Sequence, residues 1–556
     1  MRRFTPAGAL ALVGGALVLV LIGLGVAVAF QRGALTAPTP LLPSPSRGTP
    51  SPTLTNGVYR EALVGVPTML DPLLAVNQPD RDLSALIFSG LTKTDGHGGN
   101  QPDLAASWKI EDGGKRYVFT LRQGVTWQDG QPFTARDVLF TIRLLQDPAF
   151  PGDGALADLW RTVDVQTPDD HTVVCTLPNV YAPFLAYTTI GILPAHLLAD
   201  VKAGDLPNEA FNLKPVGTGP FAFAGLDTDK VAITLRRNDH YYGAAPHLRE
   251  LHFRFYPSTP DALRGVQSGA VDGIGYIPQQ YLPDAASIAD TTNIYGPSIA
   301  GYTALFFNLK APVFAPREVR QALALAVDRD ALVKQALGGW ATAGSSPILP
   351  TSWAYTTQGV TQYPFDPARA KQLLDQAGWV AGADGARAKG GQALAFTLVT
   401  SNDPARVAVA NLLAQQFGAI GCKVTVQAVA ADQAARQLAQ RRFEAALFGW
   451  EGLASDPDPY QMWHSSQADS GYNFSGYSNP TADDALAQAR TTTDQAKRVQ
   501  DYATFLKTFS EDVPSLILYY PQYHFAVSKR VSGVSLDPLD EPSDRFRTIA
   551  DWTIQK

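Results

Sequence analysis

Hydrophobic residues recur at every second position in one short stretch of the chain, at Tyr117, Phe119 and Leu121, with more polar residues between them. This spacing predicts a strand with one buried face. Gly124 and the Asp129-Gly130 pair follow, and both favour turns. The pattern therefore predicts a strand that ends in a turn-rich loop.

The residues after this loop predict a capped helix. Thr134 stands three positions before Asp137, so its hydroxyl can accept from the first helical turn while the carboxylate reaches back, which is a capping box. Phe133 and Val138 occupy the positions of the matching hydrophobic staple. The helix is expected to stop near Pro148.

Elsewhere the spacing of hydrophobic residues divides the chain into two parts that differ in their predicted secondary structure. Short alternating segments, typical of strands, dominate residues 59 to about 257. From about Phe307 strands alternate with helices, as in an α/β layer, and Asp366 is expected to cap one of these helices. Apolar strand material returns after about Ser510.

The N-terminus has the pattern of a targeting segment. An arginine pair precedes an uncharged apolar run at residues 7–30, which is long enough to cross a bilayer. Positive charge before the run places the remaining chain outside the cytoplasm. We expect residues 1–32 to form an uncleaved signal anchor, while Ala27 and Ala29 leave a cleaved signal peptide open.

Residues 33–55 have the composition of a linker. They are rich in Pro, Ser and Thr and offer little to bury, so they cannot offset the entropy of ordering. We expect an extended tether that holds an extracytoplasmic domain near the membrane, or a secreted or periplasmic protein if the first segment is cleaved.

Composition limits the classes of function. The chain of 556 residues is 45% hydrophobic and has a net charge of −6 without charged blocks, which indicates a globular protein with no basic surface for nucleic acid. The histidines fit no zinc-binding spacing, and no nucleophile elbow, phosphate-binding loop or CxxC motif occurs. We therefore expect no metal, no cofactor and no enzymatic reaction.

The segment 122–138 is similar to the R-x-G-V-x-W-x-D-G-x-P-F-T-A-x-D-V signature of the family 5 extracellular solute-binding proteins, the dipeptide, oligopeptide and nickel receptors of ABC importers. One departure is Gln128, where many members have His. Four further stretches in the order of that family extend the resemblance over roughly residues 56 to 530. They are GTGPF at residues 217–221, FNLKAPVFAPREVRQALALAVDRDALV from Phe307, YPFDPARAKQLLDQAGW from Tyr363 and YNFSGYSNPTADDAL from Tyr472.

The resemblance implies an α/β bilobal fold of the periplasmic-binding-protein type, with a ligand cleft between two lobes that two crossings join. Residues 56–305 would form the first part of lobe I, residues 306–510 lobe II, and residues 511–556 the return to lobe I. The crossings are expected near residues 302–308 and 516–520. Such a double crossing supports hinge closure on a ligand.

The two cysteines are expected to be free. In the family layout Cys175 and Cys422 lie in different lobes, and a bridge between them would hinder lobe motion. Exported proteins do form disulfides, but this pair is expected to remain two buried thiols.

The resemblance further implies a receptor that binds a solute outside the cytoplasm and hands it to the permease subunits of an ABC importer. A short peptide is the first expectation, while an oligosaccharide, a metal chelate or another small solute stays open. We expect a monomer that works by binding and lobe closure. The rival class is an exported glycoside hydrolase that would use the carboxylates at positions 451, 456 and 458.

A loop after an apolar strand is the main candidate for ligand contact. It contains Trp450, Glu451, Asp456 and Asp458, and such loops on a rigid scaffold often hold ligands. Its Asp-Pro pairs are equally suited to form turns.

One position in this loop departs from the peptide receptors of the family. In them an Asp three residues after the Trp resembles a clamp for the α-ammonium of the peptide, and here that position is Leu453. A buried ammonium without a carboxylate would be costly. Either Glu451 or Asp456 then replaces the clamp, or the ligand lacks a free amino terminus.

The resemblance places the facing wall of the cleft in the loop after Asp71. Asn77, Gln78 and Asp82 offer donors and acceptors there, and the alternative is a solvated loop leading into a helix that Asp82 caps. Other candidates could line the cleft, because aromatic rings stack on peptide bonds and planar ligands, or could belong to the core. They are Tyr302, Tyr355, Tyr472 and Asn473.

Overall fold

A computed structural model describes residues 57–555, apart from positions 228, 230 and 454. The predicted anchor at residues 1–32 and the predicted linker at residues 33–55 lie outside these described residues. Within the described part of the chain, no helix is both long and apolar enough to cross a membrane.

Lobe I is built on a mixed seven-stranded sheet. Two of its strands, Val58–Val64 and Glu250–Tyr256, run parallel to each other. Alternate residues of the second are buried, as its alternating sequence requires. The order across the sheet is Thr292–Tyr295, Phe525–Ser528, Gly273–Ile274, Val58–Val64, Glu250–Tyr256, Ala232–Arg237 and Phe221–Leu226.

A four-stranded antiparallel sheet in lobe I contains the strand predicted from alternation. This strand is Arg116–Leu121, and Tyr117, Phe119 and Leu121 are all buried in the lobe I core. The prediction is therefore confirmed. The order of the sheet is Ala105–Glu111, Arg116–Leu121, Thr172–Thr176 and Asp164–Asp169.

The predicted capping box is also confirmed, at the start of the helix Ala135–Gln146. The Thr134 hydroxyl accepts from the Arg136 N–H at 3.3 Å, and Asp137 Oδ2 accepts from the Thr134 N–H at 2.9 Å. Because both partners lie within one turn, local sequence decided this helix start.

The family-like signature and the GTGPF stretch are joined through Gln128. Its amide nitrogen donates to the Phe221 carbonyl at 2.9 Å, and its amide oxygen accepts from the Gly217 N–H at 2.8 Å. A β-carbon at Gly217 would lie 1.9 Å from the Ile87 carbonyl oxygen, so only glycine fits there. Gln128 thus fills a structural position in lobe I.

Lobe II is built on a six-stranded sheet with helices on both faces. Side chains of the strand Gly301–Phe307 alternate between two cores: Leu305 and Phe307 enter one, while Tyr302 and Phe306 enter the other. The order is Ala341–Ala343, Ser515–Pro521, Gly301–Phe307, Ala445–Glu451, Ala395–Ser401 and Lys423–Val429. Small sheets elsewhere comprise Thr92–Thr94 with Asn100–Pro102, Val380–Ala381 with Arg387–Lys389 and Gln392–Ala393, and Val531–Ser532 with Thr553–Ile554.

The helices surround these sheets, and their starts follow capping chemistry. Asp366 caps Pro367–Gln376 as predicted, its side chain accepting from the Arg369 N–H. The α-helices are Gln78–Ile87, Ala135–Gln146, Gly154–Arg161, Ala195–Leu198, Thr259–Gln267, Arg317–Leu325, Arg329–Ala331, Pro367–Gln376, Pro404–Gly418, Ala431–Ala439, Tyr460–Trp463, Pro480–Arg490 and Gln495–Asp512.

The chain passes between the lobe sheets at residues 296–300 and 522–524. These crossings differ from the expected positions, since Gly301–Phe307 pairs along its whole length with Ala445–Glu451 inside the lobe II sheet. The two crossings pair with each other: Ser298 faces Gln522 in an antiparallel bridge. They form a two-stranded hinge.

Both cysteines are free and buried, as predicted. Cys175 lies in the lobe I core and Cys422 in a core of lobe II. Burial raises the pKa of each thiol, which suppresses the reactive thiolate.

Candidate functional site

A cavity lies where the two lobes meet. It encloses about 510 Å³, including solvent at its open side. Lobe I supplies part of the wall with Gly96, Gly98 and Asp540, and Ala300 lies in the first crossing. Lobe II supplies Pro347, Ile348, Leu349, Thr351, Ser352, Leu453, Ser455, Asp456, Pro457, Asp458, Pro459 and Met462.

The turn between the strands Thr92–Thr94 and Asn100–Pro102 brings lobe I against lobe II beside this cavity. The Trp353 indole N–H donates to the Gly98 carbonyl at 2.9 Å. Gly98 has φ +87°, and a β-carbon there would lie 2.9 Å from the Ser455 carbonyl oxygen. The lobes therefore approach closely only because this position has no side chain.

Asp456 and Asp458 line the cavity, but arginines on lobe II helices already hold their carboxylates. Arg498 binds Asp456 through two nitrogens, at 2.7 and 2.5 Å. Arg490 Nε donates to Asp458 Oδ2 at 2.8 Å. Burial raises the pKa of Asp456, and the guanidinium of Arg498 opposes this shift. Both ion pairs fix the loop onto the helices Pro480–Arg490 and Gln495–Asp512.

Arg490 also reaches across to lobe I. Its guanidinium lies over the Tyr460 ring at 4.2 Å and over the Tyr181 ring at 5.1 Å. Tyr460 belongs to lobe II and Tyr181 packs against the lobe I core. The Asp458–Arg490 pair is consequently part of the contact between the lobes.

Trp450 and Tyr302 lie within the lobe II core rather than on the cavity wall. Trp450 is 1% exposed and stacks on Phe474 with ring centroids 5.4 Å apart. The Tyr302 hydroxyl donates to the sulfur of Met462 at 3.2 Å. Met462 itself lines the cavity, so Tyr302 supports the wall from behind.

Tyr355, Tyr472 and Asn473 are also outside the cavity lining. Tyr472 packs edge-on against Trp450, and Tyr355 packs against the same core. Asn473 is fully buried, where its side chain bonds to the backbone N–H and carbonyl of Tyr477. This side chain fixes a turn.

Glu451 ends the strand Ala445–Glu451 in a partly buried position away from the cavity lining. Burial raises the pKa of its carboxyl; the charge of Arg406 opposes the shift and that of Asp403 adds to it. Partial desolvation and the charge of Glu451 raise the pKa of Tyr276, a lobe I residue that is 46% exposed. Glu451 therefore lies near lobe I at a place separate from the cavity.

The predicted lobe I contacts lie apart from this cavity. The helix Gln78–Ile87 begins five residues earlier than expected, with Asn77 rather than Asp82 as its cap. Gln78 donates to Asp82 at 2.7 Å. Asp82 is 1% exposed and forms a two-point ion pair with Arg545 at 2.7 Å. Ligand contact by these residues stays a prediction, as it does for the lobe II set.

Asp540 was not among the predicted residues, and no local pattern marks it. It follows Leu539, whose carbonyl accepts from the Ala300 N–H at 2.7 Å, so the first crossing fixes its place beside the cavity. The residue is 8% exposed. Its Oδ2 atom has no hydrogen-bond partner among the described residues. Burial raises the pKa of this carboxyl to about 7, and the neighbouring charge of Asp544 adds to the shift.

The walls of the cavity are mainly apolar, with a few polar side chains. No group of three residues suited to metal binding occurs among the residues that the structure describes. Apolar walls with a few polar groups are typical of small-molecule sites.

Sequence comparison identifies the family. Residues 100–472 match the profile of the bacterial extracellular solute-binding proteins, family 5 Middle. The chain belongs to this family. Among its relatives is the oligopeptide-binding protein AppA of Bacillus subtilis, 30% identical over 502 residues that cover 89% of this chain and 91% of AppA.

Solved structures of family 5 proteins share the fold. NikZ from Campylobacter jejuni, in complex with Ni(L-His), superimposes with a TM-score of 0.70 at 28% identity, covering 90% of this chain and 100% of NikZ. AppA from Bacillus subtilis, in complex with a nonapeptide, gives a TM-score of 0.67 at 29% identity, covering 90% and 99%. The bilobal α/β fold expected from the resemblance is confirmed, and this family 5 protein acts outside the cytoplasm.

Proposed function

We propose that this protein captures short peptides outside the cytoplasm and delivers them to the permease of an ABC importer. The cavity walled by both lobes carries this proposal, because a ligand held there contacts both lobes at once. The relative AppA is an oligopeptide-binding protein, and another relative is the dipeptide-binding protein of Escherichia coli, 27% identical over 462 residues that cover 79% of this chain and 84% of that protein.

The working step in this proposal is lobe closure about the two-stranded hinge. Among the residues that the structure describes, only 296–300 and 522–524 carry the chain between the lobe sheets, so few backbone angles need to change. The contacts of Gly98 with Trp353 and of Arg490 with Tyr181 would then belong to the closed state.

We further infer that binding involves no covalent step. A glycoside hydrolase needs one carboxyl group as an acid and another as a base or nucleophile. Asp456 and Asp458 are each bound to an arginine, so their carboxylate oxygens are already engaged in ion pairs within lobe II. Their arrangement favours a structural role for both.

The N-terminal segment completes the proposal. An anchor at residues 1–32 and a tether at residues 33–55 would keep a monomeric receptor close to its permease while leaving it free to turn. A cleaved segment would instead release the same receptor.

The first prediction tests ligand class and closure. Purified protein should release short peptides on denaturation, identified by mass spectrometry. Binding of such a peptide to the folded state alone, at a hundred times its dissociation constant, should raise the free energy of unfolding by about 2.7 kcal/mol. Small-angle scattering should show a smaller radius of gyration with the peptide than without it.

Controls separate the alternatives. A maltooligosaccharide and a nickel–histidine chelate, tested at equal concentration, should leave the unfolding midpoint unchanged. Stabilisation by either of these instead of a peptide would overturn the ligand class. An unchanged radius of gyration at saturating peptide would contradict closure of the lobes about the hinge.

A further inference from the structure

We propose that the Asp540 carboxylate is the counter-ion for a primary ammonium group of the ligand. This inference rests on the proposed interlobe site and names the charge that the site would receive. Asp540 belongs to lobe I, whereas the loop from Trp450 to Tyr460 belongs to lobe II. The ammonium would therefore be held from the wall opposite that loop.

Asp540 lines the cavity, while its Oδ2 atom has neither a hydrogen-bond partner among the described residues nor water-accessible surface. Its backbone N–H donates to Asp544 Oδ2 at 2.9 Å, which fixes the main chain. The Thr94 side chain lies close enough to the carboxyl to oppose the rise of its pKa. The Oδ2 atom remains without a hydrogen-bond partner among the described residues, although the side chain is over nine-tenths buried. A buried carboxylate oxygen left in this state is costly unless a donor arrives.

The charges around the cavity single out Asp540. Asp456 and Asp458 each have an arginine partner, so the lobe II side of the cavity carries no unbalanced carboxylate from this pair. Arg547 is a cation whose charge acts on Asp540, but it forms its ion pair with Asp544 at 3.2 Å. Asp540 has no ion pair of its own within residues 57–555 as described.

Leu453 makes this assignment informative. It lines the same cavity, and its N–H donates to the Ala300 carbonyl, while the Ala300 N–H donates to Leu539 next to Asp540. One backbone ladder thus connects the apolar position in lobe II with the free carboxylate in lobe I. Leu453 brings no charge to the lobe II wall. Asp540 brings a carboxylate to the lobe I wall, on the other side of the first crossing.

The pH dependence of binding follows from the same environment. Burial, then the charges of Asp544 and Asp95, raise the pKa of Asp540 to about 7, while Thr94 and Arg547 oppose the shift. The carboxyl must ionise to pair with an ammonium, so binding below pH 7 requires release of a proton. Affinity for an ammonium ligand should rise several-fold between pH 6 and pH 7.5.

The second prediction uses the full-length protein with Asp540→Asn and Asp540→Ser. Asp537→Asn is the matched control, because Asp537 is an exposed carboxylate three positions earlier. Three equimolar libraries of tri- to pentapeptides compete for binding. The first has free amino termini, the second is N-acetylated and contains no lysine, and the third is N-acetylated and contains a lysine at each position in turn. Mass spectrometry identifies the retained peptides.

The original protein and Asp537→Asn should retain ammonium-bearing peptides at least tenfold more than the acetylated peptides without lysine. Both Asp540 variants should lose this preference. Enrichment in the first library would assign the α-ammonium, and enrichment in the third would assign a lysine ammonium. Equal retention of all libraries by the original protein, or an unchanged preference in the Asp540 variants, would overturn the proposal.

A small-molecule probe separates failure of this inference from failure of the peptide proposal. Butylammonium chloride should raise the melting midpoint of the original protein and of Asp537→Asn above that in sodium chloride at equal ionic strength, and should not do so for the Asp540 variants. If no peptide binds but butylammonium still stabilises the original protein and not the Asp540 variants, the peptide proposal is contradicted and the ammonium site is supported. If peptides are retained but neither probe discriminates, the ammonium site is contradicted and the peptide proposal is supported. If no peptide is retained and butylammonium has no selective effect, both are contradicted.

Discussion

At the scale of single residues, the carboxylates of the loop after Trp450 act first on the fold of lobe II. Asp456 is bound at two points by Arg498, and the two side chains are 12% and 7% exposed. Removing one partner of a buried ion pair leaves the other charge uncompensated, which costs more than the pair itself contributes.

The third prediction is that Asp456→Asn lowers the free energy of unfolding by about 3 kcal/mol, because Arg498 then lies buried without its partner. Urea unfolding followed by tryptophan fluorescence measures this change. Asp158→Asn is the control: Asp158 pairs with Arg161, but its side chain is 71% exposed, so little should change. Equal effects of the two substitutions would contradict a structural role for Asp456.

The ion-pair partners of these carboxylates could not be predicted from the sequence. Asp456 and Arg498 are 42 residues apart, and Asp82 and Arg545 are 463 apart, so no local pattern indicates that these carboxylates are already paired. Acidic residues in a loop look available in a sequence. Only the folded structure shows which carboxylates already have a partner. No motif marks Asp540, yet its Oδ2 atom has no hydrogen-bond partner among the described residues.

At the scale of elements, the turn between the strands Thr92–Thr94 and Asn100–Pro102 sets how closely the lobes approach. Gly98 lies in this turn against lobe II, where Trp353 and Ser455 leave no room for a side chain. Its left-handed backbone adds a second reason for glycine.

The fourth prediction is that Gly98→Ala weakens ligand binding by about tenfold or more. The added methyl group would lie 2.9 Å from the Ser455 carbonyl oxygen and 3.0 Å from the Trp353 ring, so the lobes must separate. Gly130→Ala is the matched control, since Gly130 has φ +88° against +87° but nothing within 4 Å. Calorimetry on both variants, with peptides released from the original protein, measures the difference.

Backbone strain should be similar in the two glycine variants, so stability alone does not distinguish them. If Gly130→Ala weakens binding as much as Gly98→Ala, the effect comes from strain and the turn has no part in closure.

Element boundaries were predictable where the deciding groups are close in sequence. The capping box of Thr134 and Asp137, and the cap at Asp366, depend on contacts within one turn. The crossings were placed a few residues too far into lobe II, because the apolar strand Gly301–Phe307 carries no sign of which sheet it joins. Its partners lie far away in the sequence.

At the scale of the whole molecule, the bilobal architecture that the family resemblance implied is confirmed, while ligand contact by the candidate residues stays a prediction. The loop of Asp456 and Asp458, expected from its place after an apolar strand, lies beside the cavity. The lobe I wall came instead from the turn at Gly98 and from Asp540, near the C-terminal end of the chain. A cleft between lobes collects residues from distant segments, so its composition depends on packing that periodicity does not describe.

The hinge has its own electrostatic feature. His524 lies in the second crossing, is 3% exposed and packs edge-on against Trp340 with ring centroids 5.0 Å apart. Its Nε2 has no partner among the described residues. Burial lowers the pKa of this imidazole to about 4, so the folded hinge holds it neutral.

The fifth prediction concerns stability against pH. The pKa of His524 is about 4 in the folded state and about 6.5 when unfolded, so the unfolded state binds the proton more tightly. The stability that this difference provides is present above pH 6.5 and is lost as pH falls towards 4, by at most about 3 kcal/mol. His524→Gln should therefore lose less stability than the original protein between pH 7 and pH 4.5.

Urea unfolding at half-unit pH steps measures this difference, with His97→Gln as the control. His97 is exposed, so its substitution should leave the pH profile in place. Buried carboxyls such as Asp71, whose pKa burial raises to about 7, contribute the opposite slope in every variant and cancel in the comparison. Because His524 lies in one of the two crossings found in the described part of the chain, its protonation should also favour separated lobes. Scattering at pH 4.5 should then give a larger radius of gyration for the original protein than for His524→Gln. Parallel stability profiles and equal radii would show that the crossing exposes this imidazole to water without opening the hinge.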